Sequence, residues 1–139
     1  MKLIIQIPCF NEGDYLPTLL SELPRSLDGI DKIEWLVIDD GSTDKTVKIA
    51  KKYDVDHIIS HIENKGLAAA FKTGADYALS RGADIIVNTD ADNQYPAKYI
   101  NDLIKPILNQ EADIVIGNRE TDKIKHFSFS KKILQKLGS

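Results

Sequence analysis

Residues 84–96, DIIVNTDADNQYP, join an apolar run to a cluster of oxygen-bearing side chains. The run at 85–87 shows no alternation of apolar and polar residues, which is typical of a strand that is buried on both faces of a sheet. Asp90 and Asp92 follow it, two positions apart, so in an extended segment both carboxylates point the same way and can reach one ligand. The stretch therefore predicts a parallel sheet with a ligand site at a strand end.

Similar short apolar runs recur along the chain and alternate with helical patterns. The predicted strands are residues 2–8, 33–38, 56–60, 84–89 and 113–118. The predicted helices are residues 13–23, 43–53, 66–81 and 96–109. Strands that alternate with helices in this way predict an α/β fold, a mostly parallel twisted sheet with helices on both faces.

Polar side chains and glycines follow each of the predicted strands. In open α/β sheets, ligands bind beyond the carboxyl ends of the strands, near the point where the strand order reverses. The residues that we expect at this edge, in chain order, are Pro8, Phe10, Asn11, Glu12, Asp39, Asp40, Gly41, Ser42, Asn64, Lys65, Gly66, Asp90, Asp92, Gln94, Asn118 and Arg119. They supply acids, amides and two cations, with glycines where backbone must approach a ligand closely.

The acidic pair and Gln94 have the chemistry of a metal site. Carboxylate and amide oxygens are hard ligands, which suit Mg²⁺ or Mn²⁺ and suit zinc poorly. A metal bound there could bridge a diphosphate and neutralise the charge on a leaving nucleoside diphosphate. The alternative is a turn at the strand end in which the aspartates accept hydrogen bonds from nearby backbone amides.

Two further stretches bear on nucleotide binding. In VIDDGSTDKT (37–46), Asp39 or Asp40 could accept a hydrogen bond from a ribose hydroxyl or a base, while Asp44 or Ser42 could cap the next helix. The loop and helix start in NKGLAAAFKTG (64–74) favour an anion. The chain contains neither GxxxxGK[ST] nor GxGxxG, which excludes a P-loop and argues against a dinucleotide site. His57, His61 and His126 occur in scattered contexts and are interpreted as structural or surface residues.

Length and composition indicate one globular domain in a reducing compartment. The chain has 139 residues and one cysteine, Cys9, so an internal disulfide and a cysteine metal cluster are excluded. The run KLIIQIP (2–8) is too short for a signal peptide, and the chain has no apolar run long enough for a spanning helix. These features predict a cytoplasmic protein, and we expect no nucleic-acid partner.

Four motifs, in this order and spacing, resemble the inverting family 2 glycosyltransferases with the GT-A fold. They are IPCFNE (7–12), VIDDGSTDKT (37–46), NKGLAAAFKTGADYA (64–78) and DADNQYP (90–96). The resemblance covers residues 2–119. Within the family, the motifs look most similar to those of the dolichyl- and polyprenyl-phosphate sugar synthases, whose metal motif is also followed by Gln and Pro. The resemblance implies that the chain contains the Rossmann-like, nucleotide-sugar-binding half of a GT-A fold.

The resemblance implies transfer of a sugar from a nucleoside diphosphate sugar, with inversion and with Mg²⁺ or Mn²⁺. Asp92 and Gln94 would bind the metal and thereby the diphosphate. Arg119 would meet the acceptor phosphate or the donor, so the implied catalytic residues are Asp90, Asp92 and Arg119. The implied nucleotide-sugar-binding residues are Pro8, Phe10, Asn11, Glu12, Asp39, Asp40, Lys65, Gly66 and Asp90.

The segment 119–139 differs from the rest in charge. It contains six basic and two acidic residues, a net charge of +4, whereas residues 1–118 carry −7. Phe129, Ile133 and Leu137 share one helical face that lysines flank. Such a helix could pack on a protein core or lie in a membrane interface. With the resemblance, the charge favours peripheral membrane contact and a lipid-phosphate acceptor.

The sequence departs from the family beyond residue 118. The acceptor half, with the acids that serve as base for hydroxyl acceptors, is absent, and the chain stops at QKLGS (135–139), as expected for a truncated acceptor region. A phosphate acceptor is already anionic and needs little help from a base. We therefore predict a nucleotide-sugar domain at 1–118 and the start of an acceptor-facing or membrane-facing region at 119–139.

Two other classes of protein share some of these features. A non-catalytic nucleotide-sugar-binding module, or half of a split enzyme, would contain the same motifs. A phosphoreceiver domain is a more distant alternative, since it has a similar length and a five-stranded parallel sheet. A phosphoreceiver domain needs an acid pair after its first strand, where this chain has PCFNE (8–12).

Overall fold

The computed structural model describes residues 1–92, 97–112, 114–117 and 124–127. The chain forms two compact units, Met1–Ala97 and Lys98–Ser139. The first unit contains a four-stranded parallel sheet with three helices, and the second contains a helix and a two-stranded antiparallel sheet. The division into functional regions at residue 118 stays a prediction.

The elements of the first unit alternate as the sequence predicts. They are β1 (Lys2–Cys9), α1 (Leu16–Glu22), β2 (Lys32–Asp39), α2 (Thr46–Lys52), β3 (His57–Ser60), α3 (Leu67–Ser80) and β4 (Ile85–Asn88). After a 3₁₀ turn at Ala97–Tyr99, the second unit contains α4 (Ile100–Leu108), β5 (Ile114–Gly117) and β6 (Ile124–Phe127). No helix in the described part of the chain is long and apolar enough to cross a membrane.

The parallel sheet has the strand order β3-β2-β1-β4. The register of β1 and β2 runs from Lys2 opposite Lys32 to Cys9 opposite Asp39, and Gln6 of β1 lies opposite Asn88 of β4. The chain moves outward from β1 to β3 and then returns to the other side of β1, so the strand order reverses between β1 and β4. All four carboxyl ends lie at one edge, which confirms the predicted parallel α/β fold.

The two central strands are buried on both faces. On one face, Ile4, Leu36 and Ile38 form a core cluster with Ala70 and Ala78 of α3. The other face of the sheet is covered by α1 and α2. These two helices contact each other, and α2 contacts β2. The fully buried residues there are Leu3, Ile5, Ile7, Leu16, Leu19, Val37 and Ala50. Burial on both faces explains why the strands read as continuous apolar runs.

Helix α3 approaches the sheet most closely at Gly74. A Cβ atom there would lie 2.7 Å from Cδ1 of Ile38 and 2.8 Å from Oε1 of Gln6. Gln6 is fully buried, and its Nε2 donates a hydrogen bond to Oδ1 of Asn88 at 3.0 Å. This bond joins the side chains of β1 and β4 beneath the point where the strand order reverses.

The predicted strands agree with the observed ones to within one residue at each end, but one prediction of sheet composition was wrong. The strand at 114–117 pairs antiparallel with Ile124–Phe127, so among the described residues the parallel sheet has four strands and not five. Strand β6 was not predicted, because IKHF is only four residues long and shows no alternation of apolar and polar residues. The first two helices begin three residues later than predicted, since residues 13–15 and 43–45 belong to loops.

The packing of α3 on the sheet makes a testable prediction. Replacing Ile4, which is completely buried, by alanine removes several buried methyl groups and leaves a cavity. We expect Ile4→Ala to lower the free energy of unfolding by about 2–5 kcal/mol, measured by urea denaturation. The matched control is Ile62→Ala, because Ile62 is fully exposed and should change stability by less than about 0.5 kcal/mol. Equal small effects of both variants would contradict this packing.

Candidate active site

A cleft of about 450 Å³ lies beyond the carboxyl ends of β1, β2 and β4. The residues that line it are Pro8, Cys9, Phe10, Glu12, Asp40, Asn64, Gly66, Leu67, Ala70, Asp90, Ala91 and Asp92. All belong to the first compact unit, and they come from the end of β1, from the segments after all four parallel strands and from the start of α3. This is the position at which open α/β sheets bind ligands.

The loop after β1 is held by Asn11. Its backbone adopts a left-handed conformation, with φ at +52°, which asparagine tolerates better than most residues. Its side-chain Oδ1 accepts the N–H of Thr43 at 2.8 Å, and its own N–H donates to Oγ of Ser42 at 2.9 Å. Asn11 thus joins the loop after β1 to the loop after β2, and it does not line the cleft.

Asp44 makes a second link between the same loops. Its Oδ2 accepts the N–H of Gly13 at 3.0 Å, and its Oδ1 accepts the N–H of Thr46, the first residue of α2, at 2.9 Å. The hydroxyl of Thr46 accepts the N–H of Glu12 at 3.1 Å. Asp44 therefore stabilises the start of α2, as the sequence indicates, and also positions the turn that carries Glu12.

The carboxylate of Asp40 holds the loop before α3. Its Oδ1 accepts the N–H of Lys65 at 2.9 Å and lies 2.7 Å from Nδ1 of His61, and its Oδ2 accepts the N–H of Gly66 at 2.8 Å. Asp40 is almost completely buried. Burial raises the pKa of Asp40, but the hydrogen bonds from His61, Lys65 and Gly66 lower that pKa by more, so it lies below its usual value.

The neighbouring loop packs against Gly41 without space for a side chain. Gly41 has φ at +80°, and a Cβ atom there would lie 2.6 Å from the backbone nitrogen of Asn64 and 2.7 Å from the carbonyl carbon of Glu63. Glycine is required both by the backbone conformation and by this close approach. The turn after β2 therefore sets the position of the loop that carries Asn64 into the cleft.

Asp39 is buried beside the cleft and does not line it. Its Oδ1 accepts the N–H of Ser42 at 2.8 Å, and its carbonyl oxygen accepts the N–H of His61 at 2.8 Å. Asp39 lies at the end of β2, opposite Cys9 of β1. The burial of Cys9 raises the pKa of its thiol, so this thiol stays protonated at neutral pH and is a poor nucleophile.

Three carboxylates approach one another in the cleft. Burial raises the pKa of Glu12, and the negative charges of Asp92, Asp44 and Asp90 raise that pKa further. Glu12, Asp90 and Asp92 all line the cleft. The cleft is therefore a region of negative potential, which favours a cation or a hydrogen-bond donor as ligand.

Carboxylates are suitable oxygen ligands for Mg²⁺ or Mn²⁺. Asp90 and Asp92 lie together in the cleft, where a cation would reduce their repulsion with Glu12. Within the described ranges, no group of three or more His, Cys, Asp or Glu side chains is arranged to hold a metal ion alone. The donor set fits a cation that takes most of its remaining ligands from a bound diphosphate and from water.

The structure brings seven of the sequence-predicted site residues to the cleft: Pro8, Phe10, Glu12, Asp40, Gly66, Asp90 and Asp92. Asn11, Asp39 and Lys65 do not line it; they hold the surrounding loops through the bonds described above. Gln94, Arg119 and the apolar face of 129–137 lie outside the described residues. The functional roles of all these residues stay predictions.

Sequence reasoning assigned no role to several residues that the structure places at the site. Leu67 and Ala70 belong to the first turn of α3 and line the cleft. Asn64 was noted after the third strand but was not assigned a role. His61 was interpreted as a structural or surface residue, and the only signal of its role was its position directly after β3.

Comparison with known proteins identifies relatives of this chain. The model of glycosyl transferase family 2 matches residues 4–137. Dolichol-phosphate mannosyltransferase of Pyrococcus furiosus is 34% identical over 142 residues, which cover 98% of this chain and 39% of that protein. Undecaprenyl-phosphate mannosyltransferase of Micrococcus luteus is 30% identical over 146 residues, covering 100% of this chain and 58% of that protein. The chain thus spans about half the length of the curated relatives it matches.

Solved structures show the same fold. The mannosyltransferase PcManGT of Pyrobaculum calidifontis, in complex with GDP-Man and Mn²⁺, superposes with a TM-score of 0.56 and 26% sequence identity. The match covers 75% of this chain and 32% of that one. The family model matches nearly the whole sequence, and the parallel sheet with a cleft at its carboxyl edge agrees with that match. The chain therefore belongs to glycosyl transferase family 2 and has the GT-A fold.

Proposed function

We propose that this chain binds a nucleoside diphosphate sugar in the cleft and takes part in transfer of the sugar, with inversion, to a polyprenyl or dolichyl phosphate. The observation that carries the proposal is the convergence of Glu12, Asp90 and Asp92 beside Phe10 at the carboxyl edge of the sheet. The acceptor class is supported by the names of the relatives from P. furiosus and M. luteus, which are phosphopolyprenol mannosyltransferases.

The apolar side of the cleft suits a nucleoside. Phe10 is 46% exposed although it is aromatic, and it lies in the cleft next to Pro8. An exposed ring at this position offers a surface on which a base can stack. Glu12 would accept hydrogen bonds from the ribose hydroxyls. Asp39 does not line the cleft itself but lies beside it, and in this proposal its carboxylate would contact the nucleoside.

The diphosphate belongs on the acidic side of the cleft. Asp92 and Gln94 would hold Mg²⁺ or Mn²⁺, although Gln94 lies outside the described residues, and PcManGT was solved with Mn²⁺. When bound, this metal would neutralise charge on the diphosphate. Asp90 would lie between the ribose and the sugar and orient the donor. Gly66 and the start of α3 also line the cleft.

Inversion follows from a single displacement at the anomeric carbon. An oxygen of the acceptor phosphate attacks this carbon, and the bond to the diphosphate oxygen breaks, so the nucleoside diphosphate leaves with the electron pair. The acceptor oxygen is already anionic, so no residue of the chain has to remove a proton from it. Arg119, which lies outside the described residues, would bind the acceptor phosphate.

A second candidate is a module that binds the nucleotide sugar but requires another polypeptide for turnover. Such a module would bind the donor in the same cleft. Sugar transfer by this chain alone, measured with a radiolabelled donor and undecaprenyl phosphate, distinguishes the two candidates. Turnover would exclude the binding module, and donor binding without turnover would support it.

Thermal unfolding with UDP, GDP and their sugars, each with and without Mn²⁺, tests the nucleotide site. A ligand at about 100 times its dissociation constant stabilises the folded protein by about 2.7 kcal/mol, which is several degrees in a domain of this size. We expect at least one nucleoside diphosphate to raise the unfolding temperature, and more so with Mn²⁺. Failure of all of them at millimolar concentration would contradict the proposal.

Asp92→Ala tests the metal assignment. The variant removes a proposed metal ligand, so the additional shift that Mn²⁺ gives with a nucleoside diphosphate should disappear while the unliganded protein stays folded. The matched control is Asp28→Ala, which removes an exposed carboxylate outside the cleft and should leave the Mn²⁺ effect intact. An unchanged Mn²⁺ effect in Asp92→Ala would remove this residue from the metal site.

Asp39→Asn tests the nucleoside pocket separately. The asparagine carbonyl can still accept the N–H of Ser42, but the negative charge is lost. A lost hydrogen bond to a charged group costs roughly 1.5–3 kcal/mol, so affinity for the nucleoside diphosphate should fall about 10- to 100-fold by calorimetry. The loss should be the same with and without Mn²⁺. A loss confined to the Mn²⁺ condition would assign Asp39 to the metal site instead.

The segment 119–139, with its net charge of +4, is proposed to contact an anionic membrane surface. Most of this segment lies outside the described residues. Co-sedimentation with anionic liposomes should decrease with added salt and with the double variant Lys131→Glu plus Lys132→Glu. The control is Lys51→Glu plus Lys52→Glu, an equal charge change on exposed residues of α2. Equal recovery in the supernatant with and without anionic lipid would contradict membrane contact.

A further inference from the structure

His61 lies among three elements that form one wall of the cleft. Its Nδ1 is 2.7 Å from Oδ1 of Asp40, at the end of β2, and its Nε2 is 2.9 Å from Oγ1 of Thr73 on α3. Its backbone N–H donates to the carbonyl oxygen of Asp39 at 2.8 Å. Only 9% of the His61 side chain is exposed. The imidazole is thus an internal connection and not a surface group.

The partners of the imidazole determine which nitrogen carries the proton. An ionised carboxylate only accepts hydrogen bonds, so Nδ1 of His61 is the donor toward Asp40. The hydroxyl of Thr73 can donate to Nε2 or accept from it. A neutral imidazole protonated at Nδ1 satisfies both partners, so the connection does not require a positive charge on His61.

The bond from His61 orients the Asp40 carboxylate. With Oδ1 bound to the imidazole, the same oxygen accepts the N–H of Lys65 and Oδ2 accepts the N–H of Gly66. Two consecutive loop amides are therefore held by one nearly buried carboxylate. Without the imidazole, the carboxylate would lose one of the three donors that together fix its rotation about the Cβ–Cγ bond.

These contacts decide where one wall of the cleft lies. Asn64, Gly66 and Leu67 line the cleft, and they flank or include the two amides that Asp40 holds. The side-chain amide of Asn64 also donates to the carbonyl oxygen of Asp40 at 3.3 Å. A wall that moves in the free protein must be ordered when a ligand binds, and that ordering lowers affinity.

We infer that His61 is a positioning residue, which links the Asp40 carboxylate to Thr73 of α3 and so fixes the Asn64–Leu67 wall for the nucleotide sugar. The part of this inference that concerns the ligand rests on the proposed function. The part that concerns the position of the wall does not, because it is a property of the unliganded protein.

Two substitutions separate the two hydrogen bonds of the imidazole. In His61→Asn, the side-chain nitrogen takes the place of Nδ1 and can donate to Asp40, but it does not reach Thr73. In His61→Gln, the side-chain nitrogen extends toward the position of Nε2 and the donor to Asp40 is lost. His61→Ala removes both bonds, and Thr73→Val removes only the hydroxyl.

Amide hydrogen exchange, followed by NMR, measures the wall directly. We expect exchange at Lys65 and Gly66 to be about 10- to 100-fold faster in His61→Ala and His61→Gln, the factor for a lost hydrogen bond to a charged group. His61→Asn should restore most of the protection. Exchange at Leu36, in the centre of β2, should stay as in the unmodified protein. Unchanged protection of Lys65 and Gly66 in His61→Ala would overturn the inference.

Calorimetry with UDP and GDP in the presence of Mn²⁺ supplies the second readout. Affinity should fall in His61→Gln, by about the factor seen in exchange, and recover in His61→Asn. If exchange at Gly66 responds as expected but the unmodified chain binds neither nucleotide, the positioning role stands and the proposed function fails. Uniform acceleration at Leu36 and Gly66 in all three His61 variants would indicate a role in the whole fold and would overturn the inference.

Discussion

The parallel pairing of β1 with β2 on one side and β4 on the other is the constraint on which the rest of the structure depends. Side chains of these strands are buried on both faces, so polar residues are confined almost entirely to the strand ends. Parallel strands place all their carboxyl ends at one edge. Acidic and amide side chains from distant parts of the sequence therefore meet at that edge, and the reversal of strand order beside β1 opens a cleft between them.

The loops at this edge are bound to one another and not only to their own strands. Asn11 reaches Thr43, Asp44 reaches Gly13, and Asp40 reaches Gly66, each across at least 25 residues of sequence. Every one of these bonds joins a side-chain oxygen to a backbone N–H. Loops that are held in this way lose less conformational entropy when a ligand binds, so the cleft is largely formed in advance.

The sequence predicted the strands accurately because burial on both faces leaves a direct signal, an apolar run such as LII or IIV. The strand order is not contained in that signal, since several orders are compatible with the same connections. Strand β6 was missed for a related reason. The four residues Ile124–Phe127 show neither an apolar run nor alternation, so they do not differ from a loop until their partner β5 is known.

The site was predicted in outline and not in its internal connections. Clusters of acids after strands indicate the edge, but a hydrogen bond between Asp40 and Gly66 depends on how two loops pack, which periodicity does not describe. Lys65 illustrates the difference. The resemblance implied that Lys65 binds the nucleotide sugar. In the structure its backbone N–H binds Asp40, and Lys65 is not among the residues that line the cleft.

The carboxylates at the edge divide into two groups by their surroundings. Asp40 and Asp44 accept hydrogen bonds from the side chains of His61 and Thr46, respectively, and from backbone N–H groups. These bonds hold the pKa of each below its usual value in spite of burial. In Glu12, by contrast, burial and the charges of Asp92 and Asp90 raise the pKa. The charges of Asp40 and Asp44 stabilise the folded loops. The charge of Glu12 instead lowers the stability of the fold, and a bound cation or hydrogen-bond donor can offset this loss. Glu12 lines the cleft together with Asp90 and Asp92, and Asp40 of the first group lies in the lining as well. A raised carboxyl pKa in a cleft is expected where a protein concentrates charge for its ligand.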